Sequence, residues 1–291
     1  MRTSGVSFSH LALFLVFILA GAFAPAWAQS YNPIPAPTND ENSGPETGGG
    51  GNIVLTNGQL VLLDFYNFQD TNALSRLIEK KQVSLLLSAF PYSMVDSASD
   101  KSRPLSTSPA NYIYLSEILI NKWGLSSDWN LNAIDGQKPA RRQLQKISWS
   151  FVDRLETGSA YFTPRFLPQN FRIEQAAYYT AAQKEVKISG VIWSNLNFSN
   201  RLGLIIHEKL RQVQLTFGYA MDDQLLQKIT VLAIVCKPEP ALLHRVLVPR
   251  SQLFERYRSL QLYTEQIRQA NSVMDQYLNS CLSAEGLSYQ P

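Results

Sequence analysis

Nothing in residues 1–52 is suited to a core, and this sets both the size and the environment of whatever folds. Arg2 precedes the apolar run Leu11-Ala12-Leu13-Phe14-Leu15-Val16-Phe17-Ile18-Leu19-Ala20, which closes on Ala26-Trp27-Ala28. That is the layout of a secretory signal, with cleavage expected before Gln29. The competing reading is a retained anchor, because a spanning helix needs roughly 20 apolar residues. Gly21, Pro25 and the Ala-x-Ala ending favour cleavage. No cysteine stands near that site, so lipid attachment is not expected. Residues 29–52, ending in Gly48-Gly49-Gly50-Gly51-Asn52, are proline, glycine and polar residues that bury too little to offset their ordering entropy. They read as a flexible leader. The remaining 53–291 suits one globular domain, and no second linker forces a split.

Export is the reason the two cysteines matter. Cys236 and Cys281 both survive signal removal, and an even pair in an oxidising compartment suggests a disulfide, with two buried thiols as the alternative. Closing a loop of roughly 45 residues contributes about 3 to 4 kcal/mol in the chain-entropy model. Arg2 is the one charged residue of the signal, so its release takes the formal net charge from +3 to +2. A charge this balanced gives no expectation of nucleic acid or of an anionic membrane surface. The later apolar runs, Val83 to Leu87 and Ile229 to Val235, are too short to span a bilayer and read as core. The expected location is therefore the periplasm or outside the cell, with no stable membrane insertion after cleavage.

Order is expected to begin at Ile53. Two β-prone runs, Ile53 to Thr56 and Gln59 to Leu63, flank Asn57-Gly58, a pair that tolerates the positive φ of a type I′ turn. A helix is expected from about 72 to 87, then an exposed Ser/Pro-rich loop from Pro91 to Asn111 and a helix from Tyr112 to Trp123 stopped by Gly124. Leu144, Ile147, Phe151 and Leu155 are spaced as one helical stripe, predicting a helix over 143–155. Residues 176–180 and 186–193 read as a second β-pair. Helices over about 200–217, 222–235 and 251–280 complete an α+β, mainly helical domain.

The constellation that bears on chemistry is Leu202-Gly203-Leu204-Ile205-Ile206-His207-Glu208-Lys209-Leu210-Arg211-Gln212-Val213-Gln214. Asn200 is a candidate cap and Gly218 a candidate stop. At 100° per residue, Leu202, Ile206, Leu210, Val213 and Phe217 form the core face, while His207, Arg211 and Gln214 form a stripe at its border. Leu204 and Ile205 lie off that face, which predicts that the first turns are buried on more than one side. An apolar helix running into His-Glu resembles the zincin metalloproteases, whose His-Glu-x-x-His supplies two zinc ligands and a glutamate base. Here Arg211 holds the second histidine's place, and a guanidinium has no lone pair to give a metal. The mature chain's other histidine, His244, also adjoins an arginine, so no metal site and no cofactor is expected.

Taken with Val61-Leu62-Leu63-Asp64-Phe65-Tyr66, Ala176-Ala177-Tyr178-Tyr179 and Trp193-x-x-Leu196, the His-Glu helix resembles a group of exported Gram-negative bacterial proteins in which the second zincin histidine is likewise often missing. The resemblance spans roughly residues 50 to 230. It implies export and a shared fold, and brings no activity.

Nucleotide-loop, dinucleotide and serine-hydrolase signatures are absent from the sequence. Trp123 and Trp129, flanking the polar Gly124 to Asp128, are the better candidates for stacking on a glycan, although tryptophan is more often core. Two readings stay open. The first is a non-catalytic binding or envelope-associated protein whose partner is a cell-envelope protein or glycan, with Arg211, Gln214, Trp123 and Trp129 as binding candidates. The second is a divergent, peptidase-like hydrolase using His207 and Glu208. Those two side chains point about 100° apart on a helix and are no preformed dyad.

Overall fold

The computed structural model describes residues 51–56, 58–66, 68, 70–89, 108–125, 147–153, 155, 172–180, 184–217, 219, 221–248 and 260–289, all within the compact unit Asn39–Pro291. The expected signal, the leader up to Gly50, the Ser/Pro loop up to Thr107, Trp129 and the start of the expected last helix fall outside these residues. So do Asn57 and Gly218, and the side chains of 83–89 and 217.

The N-terminal hairpin is β1 (Asn52–Thr56) and β2 (Gln59–Leu62), paired from Ile53 opposite Leu62 to Thr56 opposite Gln59. The two-residue connection includes Gly58 at φ +75°, the left-handed conformation that glycine adopts without strain. A one-turn helix, α1 (Leu63–Tyr66), follows directly, and α2 (Thr71–Ala89) comes next. The next helix, α3 (Pro109–Lys122), takes in three residues expected in the loop, with Pro109 at its first turn, where a missing N–H costs nothing. Gly124 at φ +73° ends it as expected.

The stripe read over 143–155 is not a helix where it is described. Ser148–Val152 is strand β3. Trp149 and Phe151 alternate with serines, and this two-residue period outweighs the weaker helical spacing once a partner strand is present. β4 (Arg172–Gln175), not foreseen, joins β1, while β5 (Ala177–Thr180) and β6 (Glu185–Ser189) form the expected pair. The result is two three-stranded sheets, β2-β1-β4 and β3-β6-β5, with β3 parallel to β6 and the other pairings antiparallel. Ala176 lies where the chain crosses from one sheet to the other. The strand expected to reach Trp193 stops at Ser189, whose hydroxyl accepts from the Ile192 amide and caps α4 (Gly190–Asn195).

The remaining helices are α5 (Phe198–Phe217), α6 (Asp223–Val235), α7 (Pro240–Val246), unforeseen, and α8 (Leu260–Ser283). The described residues thus form an α+β, mainly helical architecture. Asn197, rather than Asn200, caps α5, its Oδ1 accepting from the Asn200 amide at 2.9 Å. α5 is central: it packs against α2, α3, α6, β2 and β5. Leu202, Leu204, Ile205, Ile206 and Leu210 are each fully buried, so the helix is enclosed on more than one side, as its off-face Leu204 and Ile205 suggested, while Leu215 near its end is exposed. The C-terminus of α6 is tied to α2, because Gln82 Nε2 donates to the Ile234 carbonyl and Lys81 Nζ to that of Val235. Cys236, just past α6, is bridged to Cys281 on α8 with Cα atoms 5.8 Å apart, a spacing disulfides favour.

Gly203 sets how closely α5 meets the hairpin. A Cβ there would sit 2.5 Å from Phe65 Cζ and 2.6 Å from Leu62 Cδ2, both in fully packed side chains. Overpacking of ~1–3 kcal/mol outweighs a helix-propensity gain of ~1 kcal/mol, so Gly203→Ala is expected to lose about 1 kcal/mol net. A urea midpoint at or above that of the parent contradicts this close approach.

Candidate functional site

Three side chains of α5 reach the N-terminal segment, and together they locate the His-Glu pair. Asn200 accepts the Leu62 N–H on Oδ1 at 2.8 Å and donates Nδ2 to the Leu60 carbonyl at 3.2 Å, the pairing a neighbouring strand would supply. Two turns on, His207 Nδ1 donates to Asp64 Oδ2 on α1 at 2.7 Å. Glu208 Oε1 accepts the Gly51 N–H at 2.5 Å. The Gly51 carbonyl in turn accepts from the amides of Ala176 and Ala177, at 2.8 and 3.3 Å, where the chain passes between the two sheets. A Cβ on Gly51 would lie 2.1 Å from Leu204 Cδ1 and 3.2 Å from Glu208 Oε1, so only glycine fits. Composition places Gly51 and Asn52 in the leader; Asn52 is instead the first residue of β1, and Gly51, just before it, is bonded to Glu208.

The pair is interior. Glu208 is 0 % exposed, Asp64 2 % and His207 3 %, which corrects the border position inferred from the helical wheel. The off-face Leu204 and Ile205 point to such enclosure in the first turns alone, whereas it continues past His207 to Gln214. Burial opposes charge on His207, but the Asp64 carboxylate, by its charge and its hydrogen bond, together with Glu208, outweighs it and raises the imidazole's pKa. Arg211 works against that rise. Burial pushes the Glu208 pKa up, against the imidazolium, the Gly51 N–H and Arg211; Asp64 adds to the rise. The contact with Asp64 thus favours the protonated ring of His207. Asp64 Oδ1, His207 Nε2 and Glu208 Oε2 have no hydrogen-bond partner among the described residues.

Arg211 and Gln214 form a second arm. Arg211 Nη1 donates to Gln214 Oε1 at 2.8 Å, and Nη2 to Asp223 Oδ1 at 2.5 Å. Gln214 Nε2 donates to the Met221 carbonyl at 2.6 Å, so both candidate binding residues are spent on fastening α5 to the start of α6. They are 6 % and 4 % exposed. In these bonds Glu208 is engaged by Gly51, and Arg211 by Asp223 and Gln214. Trp123 is 1 % exposed with its ring edge-on to Tyr277 at 6.4 Å, so it offers no open face to a sugar. This corrects its candidacy as a stacking platform. Among the described residues, no group of three or more His, Cys, Asp or Glu is placed to hold a metal ion.

What sequence reasoning missed is Asp64 and Gly51, the two partners of the His-Glu pair. They lie 143 and 157 positions from their partners, His207 and Glu208, in the chain. The faint signal for Asp64 was a lone acid inside the apolar run Val61 to Tyr66, since a charge there must be exposed or paired. Chemically the arrangement can hold a proton on His207 and clamp a segment of backbone. General acid or base work further requires a substrate within hydrogen-bond reach, and enclosed side chains do not offer that in this conformation. Compared with protein-family models, with curated proteins and with solved structures, the chain matches none.

Proposed function

We propose that this is an exported, non-catalytic binding or envelope-associated protein in which the His-Glu helix is scaffold. The observation that carries the reading is the enclosure of His207 and Glu208, each bound to the N-terminal segment with almost no exposed surface. Export is supported by Arg2, the apolar run 11–20 and Ala26-Trp27-Ala28, and by a bridged cysteine pair suited to an oxidising compartment. No helix among the described residues is long and apolar enough to cross a membrane. The resemblance to exported Gram-negative proteins supports the same placement, in the periplasm or outside the cell. A cell-envelope protein or glycan is the partner class this location offers.

The test is a screen of the purified protein against envelope peptides and glycans, reading both binding and product formation. Binding without turnover is expected. Turnover that vanishes in both His207→Gln and Glu208→Gln, with the fold retained by circular dichroism, would establish the hydrolase reading instead.

A further inference from the structure

The contacts that make His207 and Glu208 poor catalysts give the N-terminal segment a chargeable fastening. Residues 51–66 are held to α5 at three points: Gly51 on Glu208, Leu60 and Leu62 on Asn200, and Asp64 on His207. Only the Asn200 point is charge-neutral. We infer that Asp64, His207, Glu208 and the Gly51 amide form a proton-gated latch, which clamps the hairpin to α5 while His207 is an imidazolium and loosens it when that proton leaves.

The geometry supplies the reason. The charged groups acting on His207 are Asp64 from α1 and Glu208 and Arg211 from its own helix, with Asp223 of α6 bonded to Arg211. Of the two cations acting on Glu208, His207 has the larger effect. Loss of its proton leaves two buried carboxyl groups facing one guanidinium that Asp223 also engages. A neutral ring still reaches Asp64 through Nδ1–H, so the latch weakens rather than vanishes. Asp64 then keeps a desolvated charge without its partner cation.

The direction follows from linkage. The folded protein holds the His207 proton more tightly than the unfolded chain, so this stabilisation is complete below the ordinary value of 6.5 and is lost as pH rises through the raised folded value. Glu208 acts in the same sense, since its raised pKa makes ionisation inside the fold costly from the ordinary 4.5 upward. The latch is therefore tight in acid and slack in alkali. His244, whose pKa burial lowers, runs the other way, but it lies on α7 and acts on neither member of the pair.

Amide hydrogen exchange of the purified protein between pH 5 and 9, corrected for the intrinsic pH dependence of exchange, reads the latch directly. Protection over residues 51–66 is expected to fall towards ~10-fold per pH unit across the His207 titration, the slope of one linked proton, through a local opening that costs less free energy than the opening of α6. His207→Gln, which retains a donor but no titratable charge, is expected to flatten that slope. Should His207→Gln not fold, Asp64→Asn serves the same comparison, and the parent profile alone already decides. Protection over 51–66 that is independent of pH, or that falls only in step with α6, overturns the latch. Both outcomes are separable from the question of turnover, which this measurement does not read.

Discussion

Asp64→Ala is expected to cost ~3–5 kcal/mol of unfolding free energy, the range for breaking a buried ion pair by removing one partner. The loss arises both from the missing bond and from what remains: a histidine at 3 % exposure whose Nδ1–H has no carboxylate to meet and which burial then drives towards its neutral form. Asp64→Asn should cost less, because the amide oxygen still accepts from Nδ1–H while the charge is gone. The check is urea unfolding at pH 6, where a lower midpoint with unchanged slope reports stability rather than a change in compactness. A loss under ~1 kcal/mol is what an exposed pair gives, and would mean that the pair is solvated.

The second large effect is expected from the disulfide. Cys236 and Cys281 are 45 residues apart, and opening a loop of that length costs about 4 kcal/mol in the chain-entropy model. Cys236 follows the last turn of α6, and Cys281 lies near the end of α8, the helix that packs along α6. The chain end beyond α8 is held by Tyr289, bridged to Phe68 with ring centroids 5.2 Å apart. Cys236→Ala/Cys281→Ala should therefore lower the midpoint strongly, and hydrogen exchange should show α8 losing protection before the hairpin does. Equal stability of reduced and oxidised protein would show that packing of α8 alone holds the C-terminal region.

These expectations rest on features that differ in how far the sequence discloses them. The hairpin was legible because Asn57-Gly58 is a local signal acting over a few residues. The existence of α5 is legible for the same reason, and Leu204 and Ile205 disclose the enclosure of its first turns, but a helical wheel reports periodicity and not how far along the helix neighbours continue. His207 and Arg211 thus read as border residues while lying inside. β3 was misread because Leu144, Ile147, Phe151 and Leu155 do fit a helical stripe. The alternation at Ser148, Trp149, Ser150 and Phe151 wins only when β6 is there to pair. β6 and α4 meet at Ser189, and its capping hydroxyl was the overlooked sign that the strand must end there. Gly51 was assigned by composition to the leader, although a glycine can mark close backbone approach as well as flexibility. The partners of the His-Glu pair were out of reach for one physical reason: they are tertiary, set by how the hairpin lies on α5.

The buried fastening proposed between Asp64 and His207 is read by a double-mutant cycle in urea at pH 6. It compares Asp64→Asn, His207→Gln and the double variant with the parent protein. A coupling energy above ~1.5 kcal/mol between the two positions is predicted, as for groups in one buried network. Additivity within ~0.5 kcal/mol would contradict the account, because independent residues do not share a load-sharing contact.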